Sequence, residues 1–516
     1  MALEKTSQSN FLAGMNPDKA DLLLDPEIGE TALLENILMS RRPGALDHMP
    51  GNVYYNSVQG AADQTNVFAS NIIRFYQSTG ASFTVVAWSN VGTYGVSTLD
   101  ATTETIISSA LTAPVTDWAV YQDVLYFVNG TGNVYSWDGA TFASVVTPSV
   151  SGAPFAPTLI EQHKGRMYYA GDLTLPSTII YSEPLTPVVF EAPFLSFQNV
   201  VDDDGDKVTS LQSWGDNLYV FKTRRFYTVI NSPPRQIVPS ESPGVGAFGS
   251  GVVQKTRFGL IFLGETAIYL VNGTNTRNIS PQISANRLRG LVSQSGGNFS
   301  SAFHKGIYYL FIKTAVATQI NTGFSLDFNT LDYGLQYPAI STVTNFPVAQ
   351  STVWDGTVDR GEWYGCMAGT NNVLRLDGFT PTYYQDQANQ AVRLPATILS
   401  RWIDAGATWQ TKELRVLYLY FHGIVENMKA TIEYEFNTTP GKLTQEFSVT
   451  EDVTQWDDAL WDEDVWDGDH AFIHRMVFPT GIYANRWRLR LTTETANTEV
   501  NLDKFEFGFK RVAEGL

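Results

Sequence analysis

Three stretches of this 516-residue chain bring chemistry-bearing residues close together. Pro243-Gly-Val-Gly-Ala-Phe-Gly sets Gly244, Gly246 and Gly249 at the G-x-G-x-x-G spacing that lets a backbone approach a pyrophosphate. That use needs a helix N-terminus straight after the glycines, whereas Val252, Val253 and the turn at Gly259 read as strand. The run therefore reads as a glycine-rich loop between two repeats. Asp202, Asp203, Asp204 and Asp206 surround Gly205 and resemble a calcium loop. An EF-hand loop would need Glu at its twelfth position, where this chain has Ser213, and its seventh position is Val208. These acids read as an exposed turn or as part of an acidic lumen wall. In 451–470, nine acids and no Lys or Arg accompany Trp456, Trp461 and Trp466, each followed by Asp. A spacing of five puts successive indoles on opposite faces of a straight strand. The run is a candidate assembly-contact loop, the alternative being a loop that buries its own indoles.

The other reactive side chains form no constellation. Of the six histidines, His470 and His474 stand four apart, which on a strand does not pair them as it would on a helix. Cys366 is the lone cysteine, so no intrachain disulfide and no cysteine-cluster metal site is available, and its place in a strand repeat reads as core. There is no G-x-S-x-G, and the carboxylates are too many for sequence to single out a catalytic pair. The expectation is no catalytic residue, no metal and no cofactor.

The elements that carry these residues are strands. Aromatics make up 13 % of the chain, and Thr, Val and Ser alternate with Gly, Asn and Asp punctuation. A turn followed by an apolar-aromatic strand recurs, with Tyr126, Tyr168, Tyr219, Phe262, Tyr308 and Tyr364 at equivalent places. The spacings are 42, 51, 43, 46 and 56, within or near the length of a four-stranded propeller blade. Ser82-Phe-Thr-Val-Val-Ala-Trp is an earlier, degenerate copy. Asp138-Gly139, Asn272-Gly273 and Asp377-Gly378 add tight-hairpin dipeptides. The reading is an all-β chain with a β-propeller of about seven units over 66–394, six being possible.

After residue 395 the pattern changes. Glu413-Leu-Arg-Val-Leu-Tyr-Leu-Tyr-Phe, Ala430-Thr-Ile-Glu-Tyr-Glu-Phe, Arg486-Trp-Arg-Leu-Arg-Leu and Lys504-Phe-Glu-Phe-Gly-Phe alternate between apolar and polar or charged residues. That predicts an antiparallel C-terminal domain of β-sandwich type over 395–516. Residues 1–65 read as an N-terminal extension, with a short helix over 31–39 stopped at Pro43-Gly44, then the first strands.

Composition narrows the class of function. With 52 acids against 34 bases the net charge is −18, which argues against a protein that grips nucleic acid through its phosphates. It is compatible with a wall past which DNA slides, because like charge keeps the backbone off the surface. The N-terminal ten residues lack a signal-peptide apolar core, and no run reaches the length of a membrane span. A soluble protein made in a cytoplasm is expected.

The order of several motifs along the chain is also informative. Asn36-Ile-Leu and Arg41-Arg-Pro-Gly come first, then Asp203-Asp-Gly-Asp-Lys-Val-Thr-Ser-Leu-Gln leading into Asn217-Leu-Tyr-Val-Phe-Lys and Arg225-Phe-Tyr-Thr-Val. Gly259-Leu-Ile-Phe-Leu, Ala267-Ile-Tyr, the Trp-Asp run and a β-rich C-terminus come after them. In this the chain resembles the tail nozzle, or packaged-DNA stabilisation, proteins of short-tailed bacteriophages, over residues 30–290 and 395–516. The resemblance implies a propeller with added β domains and a homohexameric ring in the virion tail. It implies a tail adaptor protein above, fibre, spike or needle proteins at the distal side, and genomic DNA retained in the lumen and conducted during ejection. It implies no membrane insertion and no residue-level site. Two other readings are a glycan-binding or glycan-cleaving propeller and a WD-repeat scaffold. The latter lacks the Gly-His to Trp-Asp spacing within each repeat.

Overall fold

The computed structural model describes residues 3–512 apart from 21–22, 26, 41, 43, 50–52, 61–66, 147, 191–196, 202–204, 231–235, 240–243, 274, 296–298, 313–321, 345–347, 354–362, 368–370, 377–382, 386–390, 394, 406–408, 423–424, 450–471 and 494–499. Trp456, Trp461, Trp466, Asp202, Asp203, Asp204, His470 and the Asp377-Gly378 dipeptide lie outside the described residues.

Antiparallel four-stranded units succeed one another along the chain. Blade 1 runs from Val67–Tyr76 to Glu104–Leu111, blade 2 from Asp117–Tyr121 to Phe142–Val146, and blade 3 from Leu159–His163 to Phe197–Asn199. Blade 4 runs from Val208–Trp214 to Gln236–Pro239, blade 5 from Val253–Thr256 to Asn275–Asn278, and blade 6 from Phe299–His304 to Ala339–Val343. Blade 7 takes Val348–Val353, Trp363–Met367 and Asn372–Arg375 from its own stretch of chain and its outer strand, Val53–Ser57, from far upstream. The first strands of successive blades pack side by side from blade 2 round to blade 7 and on to blade 1. The ring closes between blades 1 and 2 through a shared core in which Phe75 meets Trp137 at 5.7 Å. The fold is a seven-bladed propeller, and the chain's N-terminal part ties its last blade.

The repeat aromatics explain the periodicity. Tyr126, Tyr168, Tyr219, Phe262, Tyr308 and Tyr364 all fall on the second strand of their blades, and all are buried. Trp88 takes that role in blade 1, lying against Gly95, where an added Cβ would come within 2.2 Å of the indole. The Asp138-Gly139 dipeptide turns the chain between the last two strands of blade 2. Its Asp138 carboxylate accepts the amides of Ala140 and Thr141, and Gly139 sits at φ 96°.

The C-terminal region is a two-sheet sandwich. One sheet holds Phe472–Ala484, Lys412–Phe421, Leu502–Arg511, Leu46–His48 and Ile37–Met39 in that order, with Glu4–Gln8 paired to Leu502–Arg511. The other runs through Leu33–Glu35, Thr397–Leu399, Arg486–Thr493, Val425–Phe436 and Thr439–Val449. Side chains alternate between buried and half-buried along Arg486–Thr493, and Trp487 meets Phe507 and Phe509 across the interior at 5.7 and 5.5 Å. Blade 6 continues into this second sheet, because Ala339–Val343 pairs with Leu33–Glu35.

Two expectations are corrected. Residues 31–39 form short strands, not a helix: Leu33–Glu35 and Ile37–Met39 flank Asn36, which has φ 54°. The Asn36 amide group donates to the Thr344 hydroxyl and the Pro395 carbonyl, so tertiary pairing overrides local helix propensity. A helix does form at Ala285–Ser295, between blades 5 and 6, in a stretch read as strand. Among the described residues no helix is long and apolar enough to cross a membrane.

Candidate functional site

Residues on the first strands of blades 1 to 6 line a cavity of about 1530 Å³, together with the N-terminal segment at 38–40 and the turn after the third strand of blade 6. The lining includes Asn71, Ile73 and Arg74 of blade 1, Asp117 and Trp118 of blade 2, Ile160 and Glu161 of blade 3, and Gln212 of blade 4. In most blades these positions hold polar or charged groups, whereas the second strands carry the aromatic core.

Asp117 opens the first strand of blade 2. Its Oδ1 accepts the Trp118 amide and its Oδ2 the Ile160 amide of blade 3, each at 3.0 Å. Burial raises its pKa to about 7, and the neighbouring charge of Glu161 adds to the rise against those two amide bonds. Glu161 comes from the first strand of blade 3 and accepts Lys255 Nζ of blade 5 at 2.8 Å. Burial pushes its carboxyl up as well, with Lys255 opposing. Two carboxyls and one ammonium from three blades thus share one end of the cavity wall.

The other side of the cavity is built by blade 6 and the blade 5 segment facing it. Gln254 Nε2 donates to the Ser301 carbonyl at 3.0 Å, and Ser301 Oγ donates to the Gly251 carbonyl at 2.8 Å. Ser300 is 3 % exposed, and among the described residues its Oγ has no hydrogen-bond partner. Asp327 ends the third strand of blade 6 and caps the 3-10 turn Phe328–Tyr333 by accepting the Asn329 amide at 2.9 Å. Burial lifts its pKa to about 6. Leu38, Met39 and Asp47 from the sandwich complete the lining.

The residues singled out from sequence lie elsewhere. Asp206 precedes blade 4, where its carboxylate accepts the amides of Lys207 and Arg224, both at 2.9 Å, and it does not line the cavity. Gly244, Gly246 and Gly249 form the loop from blade 4 to blade 5, and strand Val253–Thr256 comes after one 3-10 turn. An added Cβ on Gly246 would lie 2.1 Å from the Lys222 carbonyl, so this glycine serves a close backbone approach inside the protein. Cys366 is fully buried on the second strand of blade 7, and burial drives its thiol pKa above the ordinary range. His474 stacks on Phe447 at 4.1 Å. Among the described residues no three His, Cys, Asp or Glu side chains are placed to hold a metal ion. Asp117, Glu161 and Lys255 were not singled out from the sequence. The available signal was their place on the strand preceding each aromatic repeat strand.

No family model matches the chain, and no curated protein matches it. Solved structures share its form loosely. The computationally designed Ika8 protein is 10 % identical with a TM-score of 0.37, covering 66 % of this chain and 96 % of its own. BamB from Moraxella catarrhalis is 10 % identical with a TM-score of 0.40, covering 66 % and 92 %. The Pan2 WD40 domain of Neurospora crassa is 10 % identical with a TM-score of 0.41, covering 67 % and 98 %.

Proposed function

We propose that this chain is a structural protein of a bacteriophage tail, of the nozzle type, that assembles as a ring, retains packaged DNA and conducts it during ejection. The observation that carries the reading is the main-chain continuity between the two domains. Blade 6 passes by strand pairing through Leu33–Glu35 and Thr397–Leu399 into Arg486–Thr493 of the sandwich. A hydrogen-bonded sheet across the junction resists shear better than a loop linker, as suits a part loaded by pressurised DNA. The motifs that carry the resemblance also fall on framework positions. Asn36 pins the junction, and Gly259–Leu263 and Phe226–Ile230 are blade strands. The net charge of −18 supports a surface that does not hold DNA.

The test is protein mass spectrometry of purified virions, together with duplex-DNA binding near 150 mM salt. The reading expects this chain in stoichiometric amount in tails and no measurable DNA affinity. Absence from virions, or cleavage of host capsule or lipopolysaccharide by the purified protein, would overturn it.

A further inference from the structure

One sheet of the sandwich ends in a long edge. Thr439–Val449 is an 11-residue strand that pairs on one side with Val425–Phe436 and, among the described residues, with no strand on the other. A bare row of N–H and C=O groups templates another strand, so edges are usually short or blunted. Here Pro440 stands only at the start, and residues 442–446 are exposed on both faces. Leu443 is 39 % exposed although it stands opposite the fully buried Ile432.

The hairpin fixes which groups point outward. Asn437 and Thr438, at φ 45° and 69°, form a two-residue turn that makes Phe436 and Thr439 a hydrogen-bonded pair. Hydrogen-bonded and non-bonded pairs then alternate along the strand. Leu443 and Gln445 bond back to Val425–Phe436, whereas Lys442, Thr444 and Glu446 turn their amides and carbonyls to the open edge.

The side chains of those three residues lie on the face away from the sandwich interior. Thr444 Oγ1 is 3.0 Å from Thr431 Oγ1. Lys442 Nζ lies 3.4 Å from Glu433, which also holds Arg488, and Glu446 lies 3.3 Å from Lys429. The side chains of Lys442 and Glu446 remain 68 % and 71 % exposed, so each has room for a second ion partner. They stand symmetrically about Thr444, which makes the edge complementary to itself. Set antiparallel to a copy with a two-fold axis at Thr444, Lys442 meets the copy's Glu446 on both sides of the axis. The row across the joined sheet then reads Arg488, Glu433, Lys442, and Glu446 and Lys429 of the copy, alternating in sign throughout. An axis at Lys442 or Glu446 would oppose like charges, and the registers between them set each charge opposite a neutral residue.

We infer that Thr439–Val449 is a docking edge for the same strand of a second copy of this chain, joined antiparallel with Thr444 opposite Thr444. The contact is isologous and joins copies in pairs, so it stands apart from the head-to-tail contacts of the proposed ring.

Disulfide trapping of the full chain tests the register, and its covalent readout holds whether or not rings form. Thr444→Cys sets two thiols on a directly opposed pair, whose Cα separation of about 5.5 Å suits a disulfide. Leu443→Cys sets them out of line and on the other face. Under a mild thiol oxidant Thr444→Cys is expected to give a covalent dimer on a denaturing gel, and Leu443→Cys to stay monomeric. The native Cys366 is buried, so the unaltered chain serves as the blank. Charge reversal in the Thr444→Cys background tests the chemistry, with melting temperatures confirming the fold. Lys442→Glu or Glu446→Lys alone should slow trapping at least about tenfold, because each opposes like charges. Mixing the two proteins should restore trapping as a heterodimer. No covalent dimer from Thr444→Cys at about 100 μM chain, faster trapping of Leu443→Cys, or no rescue on mixing would overturn the inference.

Discussion

His422 stands between Asp47 and Asp503, its Nε2 2.8 Å from one carboxylate and its Nδ1 2.7 Å from the other. It joins the N-terminal strand Leu46–His48 to the C-terminal strand Leu502–Arg511 beside it. Burial alone would lower its pKa, but the bonds to two carboxylates prevail and raise it to about 9. A folded-state pKa above the unfolded value of about 6.5 gives stability that is full below that value and lost as pH rises through 9. Urea unfolding between pH 6 and 10 is expected to show a loss on the order of 3 kcal/mol that is absent in His422→Gln. Equal pH slopes for the two proteins would contradict the clasp.

Trp88 and Gly95 make a second testable pair. The indole lies where a Cβ at Gly95 would come within 2.2 Å, and Trp88 Nε1 donates to Ser97 Oγ at 2.8 Å. Gly95→Ala should therefore cost about 1–3 kcal/mol by overpacking. Combined with Trp88→Phe, the cost should be less than additive, because the smaller ring relieves the indole contact and leaves only the Ser108 carbonyl, 2.6 Å from the added Cβ. Thermal melts of the four proteins check this, and strict additivity would show that the indole is not what the methyl meets.

On the sandwich, Glu433 gathers cations from two strands. Arg488 Nε lies 2.7 Å away, Arg490 Nε 3.2 Å and Lys442 Nζ 3.4 Å. Burial would raise its pKa, yet this cluster holds it below the ordinary carboxylate value. Its stabilisation is therefore present above pH 4.5 and lost as pH falls through the lowered value. Glu433→Gln is expected to cost about 2–4 kcal/mol at pH 7, with the difference shrinking in acid. A difference that does not change with pH would point to packing rather than charge.

The outer strand of blade 7, Val53–Ser57, should behave as part of the ring. It pairs with Asn372–Arg375, and the buried Val58 next to it exchanges bonds with Asn371. Native-state hydrogen exchange should give its amides protection comparable to Asn372–Arg375. Exchange of 53–57 at the rate of an open chain, with blade 7 otherwise protected, would mean that this strand does not close the propeller.

Much of this architecture was legible in the sequence because a repeat leaves a periodic trace. Tyr126, Tyr168, Tyr219 and their equivalents mark the second strand of each blade, where they are buried. The alternation along 486–493 marks a strand with one face in the core. The features that were not legible depend on partners distant along the chain. Leu33–Glu35 takes a strand conformation because Thr342 and Leu399 pair with it, and Val53–Ser57 joins a blade more than three hundred residues away. The cavity acids were illegible for the same reason. Asp117 and Glu161 are two among 52 acids until blade closure brings them together.

Ring assembly is the property on which the proposed tail role depends, and single-particle imaging of the purified full chain reads it without further inference. Closed rings with a central lumen are expected, each subunit showing a seven-bladed disc fused rigidly to a sandwich, with a negative calculated potential along the lumen. Isolated monomers at every concentration, or a lumen lined by positive potential, would contradict that role.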